Sequence, residues 1–567
     1  MRETRPRSLP EPVADALRTL RRPGPALLVV TALALLARLY ALGWRVAHQD
    51  EARVGHWILH FVETGTWQYR PIIHGPFLPH VNYVVFSAFG ASDFTARLVV
   101  ALVGGLAPLA AWLLRDRLRD TEVVALGLLL AFNPVLLYYS RFMRNDVPLA
   151  VFAFVTFALA VRTIDTGKAR YLYAAAFTFA LAFTTKENVI AYPVVWAGAL
   201  ALVLDHRLFL ARTREAAWPS VLWESILAVL RRLWAWKLPL VVAIVEFAVV
   251  VTFFYAPIPQ LFSALAHPAQ LPGLVQTATL GSWNTFADTW LKNEMHGHPY
   301  LPFLGSYLQA MAFGGLAISV LGVLGFLYDR YAGVEPRPTV AFAFYWGVAS
   351  VLGYPLMVDI KAAWSTAHAL APLALPAAVG LALLYREGRD AFETGDNVAA
   401  VAAAVLLLLA AGWVGYVAAD TSYVHPQARE NPLVQYAQPA GEMQPTLARI
   451  QRVAASNQGV DVGYYGEKFY NSHDYTTTIG PGAPGWFQRL PLPWYFERYH
   501  ARTASYNDTT SLLKDPPPVV IALGPSQGQK TSADLDGKLD GYDRYVYQQY
   551  QWSRPMVVYV KHDAGTG

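Results

Sequence analysis

The sequence predicts an α-helical polytopic membrane protein with about eleven transmembrane helices and a small extracytoplasmic α/β domain near its C-terminal end. Three observations predict it. Apolar runs near bilayer length recur between Ala26 and Ala419, separated by charged or Pro/Gly-rich punctuation. Hydrophobic residues make up 54% of the chain and charged residues 15%, with mean hydropathy +0.29, a balance too apolar for a soluble protein. Beyond Ala419 the apolar runs shorten to strand length, and Asp, Asn, Gln, Ser, Tyr and Pro become common.

In order, the expected spans are 26–44, 94–114, 122–140, 147–162, 170–184, 188–204, 238–256, 307–328, 339–358, 364–385 and 398–418. An Arg/Pro-rich tail over residues 1–25 precedes the first span. No small-residue cleavage pattern follows Trp44, so Ala26–Trp44 reads as a retained signal-anchor helix. With that tail in the cytoplasm, alternate spans return to basic loops: Arg115 to Arg119, Arg162 to Arg170, Asp205 to Lys237, and Arg386 to Arg389. Charge bias and helix parity therefore agree on a cytoplasmic N-terminus and an extracytoplasmic C-terminal domain, and the expected location is the plasma membrane. The formal charge of +5 carries orientation information and implies no nucleic-acid partner. Cysteine is absent, which excludes disulfides, Cys-ligated zinc and thiol catalysis.

Three regions follow: a basic tail (1–25), a membrane domain (26–419) and the α/β domain (420–567). The membrane domain carries long outer loops at about 45–93 and 256–306. The first loop contains a segment, Glu51 to Glu63, that reads as an interfacial helix with Trp57, Ile58 and Phe61 toward lipid. In the α/β domain Val460–Tyr465, Pro518–Leu523 and Arg554–Lys561 read as strands and Thr446–Ala455 as a helix. Pro525 follows Gly524 without a Gly-rich loop, so no nucleotide site is expected there.

Candidate chemistry gathers at the outer ends of the spans. Asp50 and Glu51 stand just past the first span, where carboxylates at a membrane surface usually have a task. Arg141 and Arg144 lie in the short turn between spans three and four, and Lys186 in that between five and six. Cations in short outer turns oppose the positive-inside bias, and a bound phosphate explains them: Arg offers a planar fork, Lys a point charge. Simpler roles fit the same residues. Asp50 and Glu51 suit the N-terminal dipole of a helix, Arg141 and Arg144 can snorkel to headgroups or pair with Asp146, and Lys186 can pair with Glu187. His74 and His80 fit phosphate contact or loop structure equally. Glu294, His296 and His298 could bind a divalent metal, but the i, i+2 spacing followed by Pro299 fixes no ligand geometry. Trp494-Tyr495-Phe496 could stack on sugar but suits a small domain's core better. Asn507-Asp508-Thr509 fits a glycosylation sequon.

The order of Asp50-Glu51, His74-Gly75-Pro76-Phe77-Leu78, Phe94-Thr95-Ala96-Arg97-Leu98, Ser140-Arg141 through Asp146, and Thr185-Lys186 resembles the GT-C glycosyltransferases. The branch is that of the protein O-mannosyltransferases and lipid A aminoarabinose transferases, and the likeness is clearest over residues 26 to 210. His48 to Ala52 together with Pro493-Trp494-Tyr495 is most similar to an archaeal and bacterial group associated with flippase activity in N-glycosylation. The resemblance implies a GT-C-like fold and inverting transfer of a sugar from a polyprenyl-phosphate donor to a hydroxyl acceptor, protein or glycolipid. No cofactor is expected from these residues, with a divalent metal left open. Asp50 would then be the general base, with Glu51 orienting the acceptor or balancing charge. Arg141, Arg144, Lys186 and His74 would hold the donor phosphate. His296 and His298 resemble a His-Pro-aromatic element with an acceptor-side or structural role. Two other functions use the same residues: a lipid-linked-sugar flippase, which needs a phosphate cradle but no base, and a non-catalytic subunit of a glycosylation pathway. No internal symmetry of the transporter kind is present in the sequence.

Overall fold

The computed structural model describes residues 22–213, 218–292, 298–332, 335–434, 438–470, 485–548 and 555–564. Among them, seven helices are long and apolar enough to cross a membrane: Asp93–Leu113, Asp146–Thr166, Glu187–His206, Lys237–Tyr255, Pro338–Met357, Ala363–Thr394 and Asn397–Val424. An eighth is a pair, Tyr300–Gly314 and Leu316–Tyr331, bent by 92°. The protein is an integral membrane protein, and seven or eight of the eleven expected spans meet this length and composition test among the described residues. The first apolar run forms a 17-residue helix, Pro23–Leu39. Pro134 divides the run at 122–140 into Asp120–Phe132 and Pro134–Tyr139, because proline lacks the N–H that would continue the ladder. Arg38 closes that break by donating to the carbonyls of Leu130 and Ala131.

Ala363–Thr394 is the central pillar, buried along its length from Ala367 to Gly380. Glycine lets Leu316–Tyr331 touch it backbone to backbone: a Cβ on Gly325 would lie 2.0 Å from the Pro376 carbonyl oxygen. Lys237–Tyr255 and Asn397–Val424 bury only 6% of their apolar windows and form the perimeter, where lipid would meet them. Charged residues collect at the two ends of the helices. At one end Glu122 meets Arg337 and Arg386, and Asp165 meets Arg117. At the other lie Asp50, Asp146 and Lys186. Asp146 begins the Asp146–Thr166 helix and Arg162 nears its end, so the two clusters are separated by roughly 25–30 Å.

At the second end the helix Gln49–Thr64 starts with a capping box, in which the His48 ring accepts from the Asp50 N–H and the Glu51 carboxylate accepts from the His48 N–H. Gly65 ends it with φ 65°. Ile58 and Phe61 do not face lipid as the sequence pattern had them; both are buried in the core, and Arg70 stacks on Trp57. A further helix, Phe77–Phe89, occupies what reads as loop. Trp67 and Ile258 exchange backbone hydrogen bonds, clipping the two outer loops together.

Among the described residues the C-terminal segment forms five strands: β1 Val462–Tyr465, β2 Thr503–Tyr506, β3 Val519–Leu523, β4 Tyr542–Tyr547 and β5 Met556–Lys561, in the order β2-β1-β3-β5-β4. β1 runs parallel to β2 and β3, while β5 pairs antiparallel with β3 and β4. The helix Met443–Ser456 buries Met443, Leu447, Ile450 and Val453, one stripe at helical spacing. Trp494, Tyr495 and Phe496 are all buried. They dock this segment on the membrane domain: Trp494 Nε1 donates to Asp93 at 2.7 Å, and the Trp494 ring lies against Gly55.

Candidate active site

Residues 45–48 leave the first helix in an extended turn whose backbone is held from far along the chain. The Gln427 side-chain oxygen accepts from the Val46 N–H at 3.2 Å, and the Tyr495 hydroxyl accepts from the Ala47 N–H at 2.8 Å. Neighbouring helical residues point about 100° apart, so Asp50 and Glu51 part company at once. Glu51 turns inward, 3% exposed. Its Oε1 accepts from Arg97 Nε at 2.9 Å and the Met143 N–H at 2.8 Å; its Oε2 accepts from Arg45 Nη2 at 2.8 Å and Arg97 Nη2 at 3.1 Å. Burial acts to raise this carboxyl, but Arg45 and Arg97 outweigh it and hold it well below the usual carboxylate range. Glu51 is thereby a fully engaged clamp for two arginines.

Asp50 keeps partial exposure and faces a different set of groups. Arg144 pairs with its Oδ2, and Arg53 Nη2 donates to Oδ1 at 3.1 Å. Burial again acts to raise it, and Arg144, Arg53 and His48 overcome that to keep it ionised far below its ordinary value. The Arg144 guanidinium lies 3.3 Å from the centre of the Trp364 ring, a cation–π contact that fixes its plane. Beyond it stands Asp146, with Arg144 Nε at 3.7 Å, Lys186 Nζ at 2.9 Å and His368 Nε2 at 3.3 Å. His368 Nδ1 lies 2.6 Å from the Tyr192 hydroxyl. A row of alternating charge thus runs Asp50, Arg144, Asp146, Lys186, and its members come from three separate turns.

Of the expected residues, Asp50, Arg144 and Lys186 meet in this row. His74 borders it: its Nδ1 lies 3.1 Å from Glu187, next in sequence to Lys186. Gly75 makes that approach close, since a Cβ there would come within 2.3 Å of the Thr184 carbonyl. Arg141 departs from the expected cradle. It donates to the carbonyls of Ala37, Arg38, Tyr40 and Ala41, closing the end of the first helix, with Tyr423 against its guanidinium. Carbonyls of the last turn and of the two residues past it attract it there. His298 also stands apart, stacked on Phe303 and bonded to the Val358 carbonyl. His296 and Glu294 lie outside the described residues. Among the described residues no group of three His, Asp or Glu could hold a metal ion.

Sequence reasoning passed over Arg45, Arg53, Trp364 and His368. Arg53 sits one turn from Asp50, so its spacing is a usable signal. Nothing local marks the other three, which arrive through tertiary packing.

No curated protein matches this chain. Residues 73–236 match the model of the dolichyl-phosphate-mannose-protein mannosyltransferases, and residues 443–561 that of the Agl23 flippase-associated protein C-terminal domain. In structure the chain is similar to ArnT from Cupriavidus metallidurans. The form bound to undecaprenyl phosphate shares 17% identity at TM-score 0.52 over 94% of this chain and 98% of that one. The apo form gives 16% and 0.54 over the same shares. It is also similar to the archaeal oligosaccharyltransferase AglB from Archaeoglobus fulgidus, in complex with an inhibitory peptide and a dolichol-phosphate. There the identity is 14% and the TM-score 0.50, over 88% of this chain and 69% of that one. At these identities the likeness is one of fold. Residues 73–236 thus match the dolichyl-phosphate-mannose-protein mannosyltransferases, residues 443–561 match an Agl23 flippase-associated C-terminal domain, and the chain shares its fold with ArnT.

Proposed function

We propose that the protein transfers a sugar from a polyprenyl-phosphate donor to a hydroxyl acceptor on a protein or glycolipid, with inversion, at the extracytoplasmic face of the plasma membrane. One observation carries the reading: Asp50 of the first outer helix meets Arg144 of a later turn, and Asp146 links that arginine to Lys186 of a third. In the reaction Asp50 accepts the acceptor's hydroxyl proton, the acceptor oxygen bonds to the anomeric carbon, and the bond from that carbon to the phosphate oxygen breaks. The electron pair leaves on the polyprenyl phosphate, where Arg144 and Lys186 stabilise it. Phosphate needs no separate acid to depart, so the proposal invokes no cofactor. Before donor arrives Arg144 is held by Asp50. A phosphate competing for Arg144 would free the carboxylate and raise its basicity, linking donor binding to activation of the base. Glu51, Arg97 and Arg45 form the rigid floor, and His74 shapes the turn that presents Lys186. The orientation rests on charge bias, and the boundaries 1–25, 26–419 and 420–567 are part of the same proposal.

The match of residues 443–561 to a flippase-associated domain favours a second reading, movement of a lipid-linked sugar across the membrane. Protein reconstituted in vesicles, radiolabelled polyprenyl-phosphate sugars and extracted membrane acceptors separate the two. Transfer predicts labelled acceptor from wild type and a loss of about 10²-fold or more in Asp50→Asn. Labelled lipid crossing the bilayer equally with wild type and Asp50→Asn, with no donor giving transfer, would replace it with transport.

A further inference from the structure

Asp50, Arg53, Trp57 and His60 follow one another at i, i+3, i+7 and i+10 on the helix Gln49–Thr64, and each keeps some exposure while Glu51, Val54, Ile58 and Phe61 are buried. They form one stripe, about 15 Å from Asp50 to His60. At its far end a pocket of about 280 Å³ opens between the two outer loops. Trp57, His60, Gln68 and Arg70 line it from the first loop, Gln260 and Thr277 from the second. The Trp67–Ile258 backbone bridge holds its two walls at a fixed separation.

The lining selects among ligands. Arg70 lies flat on Trp57, 3.6 Å from its ring centre, and pairs with no carboxylate among the described residues. His60 is pushed below the ordinary imidazole value by burial and by the nearby His56 and Arg70, so at neutral pH it offers one donor and one acceptor. A single guanidinium is a poor substitute for the paired cations that a phosphate recruits. An acyl chain would leave the amides of Gln68 and Gln260 without partners as it displaced their water. Aromatic surface beside amides, a hydroxyl and a neutral imidazole complements a sugar ring, which has apolar C–H faces and an equatorial belt of hydroxyls.

We infer that this pocket binds a pyranose ring of the acceptor, so that the acceptor is a glycan-bearing molecule lying along the helix stripe toward Asp50. The inference rests on the transferase reading for the direction of the chain, and on the pocket itself for the sugar. Purified full-length protein in nanodiscs, without donor, is titrated with maltotriose, mannotriose and trigalacturonate, followed by tryptophan fluorescence and saturation-transfer NMR. At least one trisaccharide is expected to saturate, with Kd weakened tenfold or more in Trp57→Leu and Arg70→Ala. Gln260→Ala, at an exposed rim position, is expected to weaken binding as well and keeps the test readable if Trp57→Leu fails to fold. Absence of saturation by all three sugars, or undiminished binding in every folded pocket variant, overturns the inference. Saturable, pocket-dependent binding by a protein that transfers from no donor upholds the pocket and removes the transferase reading; transfer without sugar binding does the reverse.

Discussion

Arg97 grips Glu51 as a fork, Nε on Oε1 at 2.9 Å and Nη2 on Oε2 at 3.1 Å, with both side chains almost wholly buried. Arg45 completes the clamp from the turn before the helix. Removing the acid strands two buried guanidiniums, so Glu51→Ala is expected to cost about 3–5 kcal/mol. Arg97→Lys, which cannot form the fork, should not restore stability when offered in place of arginine. Thermal unfolding of the detergent-solubilised protein checks this, and a Glu51→Ala melting point equal to wild type would refute the clamp.

Arg144 and Arg141 are three residues apart and should fail in different ways. Arg144→Gln removes the cation beside Asp50 and is expected to lower kcat about 10²–10³-fold. Arg141→Ala removes a donor from four carbonyls at and just past the end of the first helix, so it should lower the melting point while activity per folded molecule stays near wild type. Turnover normalised to folded protein distinguishes them. A catalytic collapse in Arg141→Ala at full stability would return that residue to the phosphate cradle.

Acid should destabilise the protein through Asp50 and Glu51. Both carboxyls are held below their unfolded values, which lie near 4. Their contribution is therefore complete above about pH 5, begins to fade as the pH drops past about 4, and is gone below the folded values. The melting-point difference between wild type and Asp50→Asn is expected to be constant from pH 5.5 to 8 and to shrink below pH 4. A difference that changes between pH 6 and 8 would point to another group.

Gly55 meets the ring of Trp494, where a Cβ would lie 2.5 Å from Cε3. Helix propensity favours Gly55→Ala by about 1 kcal/mol, whereas overpacking a tight contact costs about 1–3 kcal/mol. Contact should win. The variant is expected to melt lower and to release a C-terminal fragment faster under limited proteolysis; a stabilised variant would show that the ring yields.

Hydrophobic periodicity made most helices legible, since burial in lipid or in a core imposes the same apolar run. It misread residues 307–328 because Gly314 and Gly315 look like ordinary small residues in such a run. In the structure they turn the chain by 92° and admit Val135 and Leu370 at close range. Phe77–Phe89 escaped notice because Pro79, His80 and Asn82 interrupt its apolar pattern. In the sheet, β1, β3 and β5 are buried and read as strands, while the more exposed β2 and β4 lack that signal. Asp50, Arg144 and Lys186 were legible as charges in unusual places. Which acid takes which cation was not, because Arg141 and Arg144 differ only in the packing that receives them.

The turn that precedes Asp50 owes its shape to residues made much later. Gln427, Gln438 and Tyr495 bond to Arg45, Val46 and Ala47. During synthesis the ribosome must add some 450 residues after the first helix emerges, roughly 20–90 s at about 5–20 residues per second. Until then the shoulder of the acid-bearing helix has unfilled donors. The newborn membrane half therefore waits, inserted but unfinished, for its own tail to complete the site.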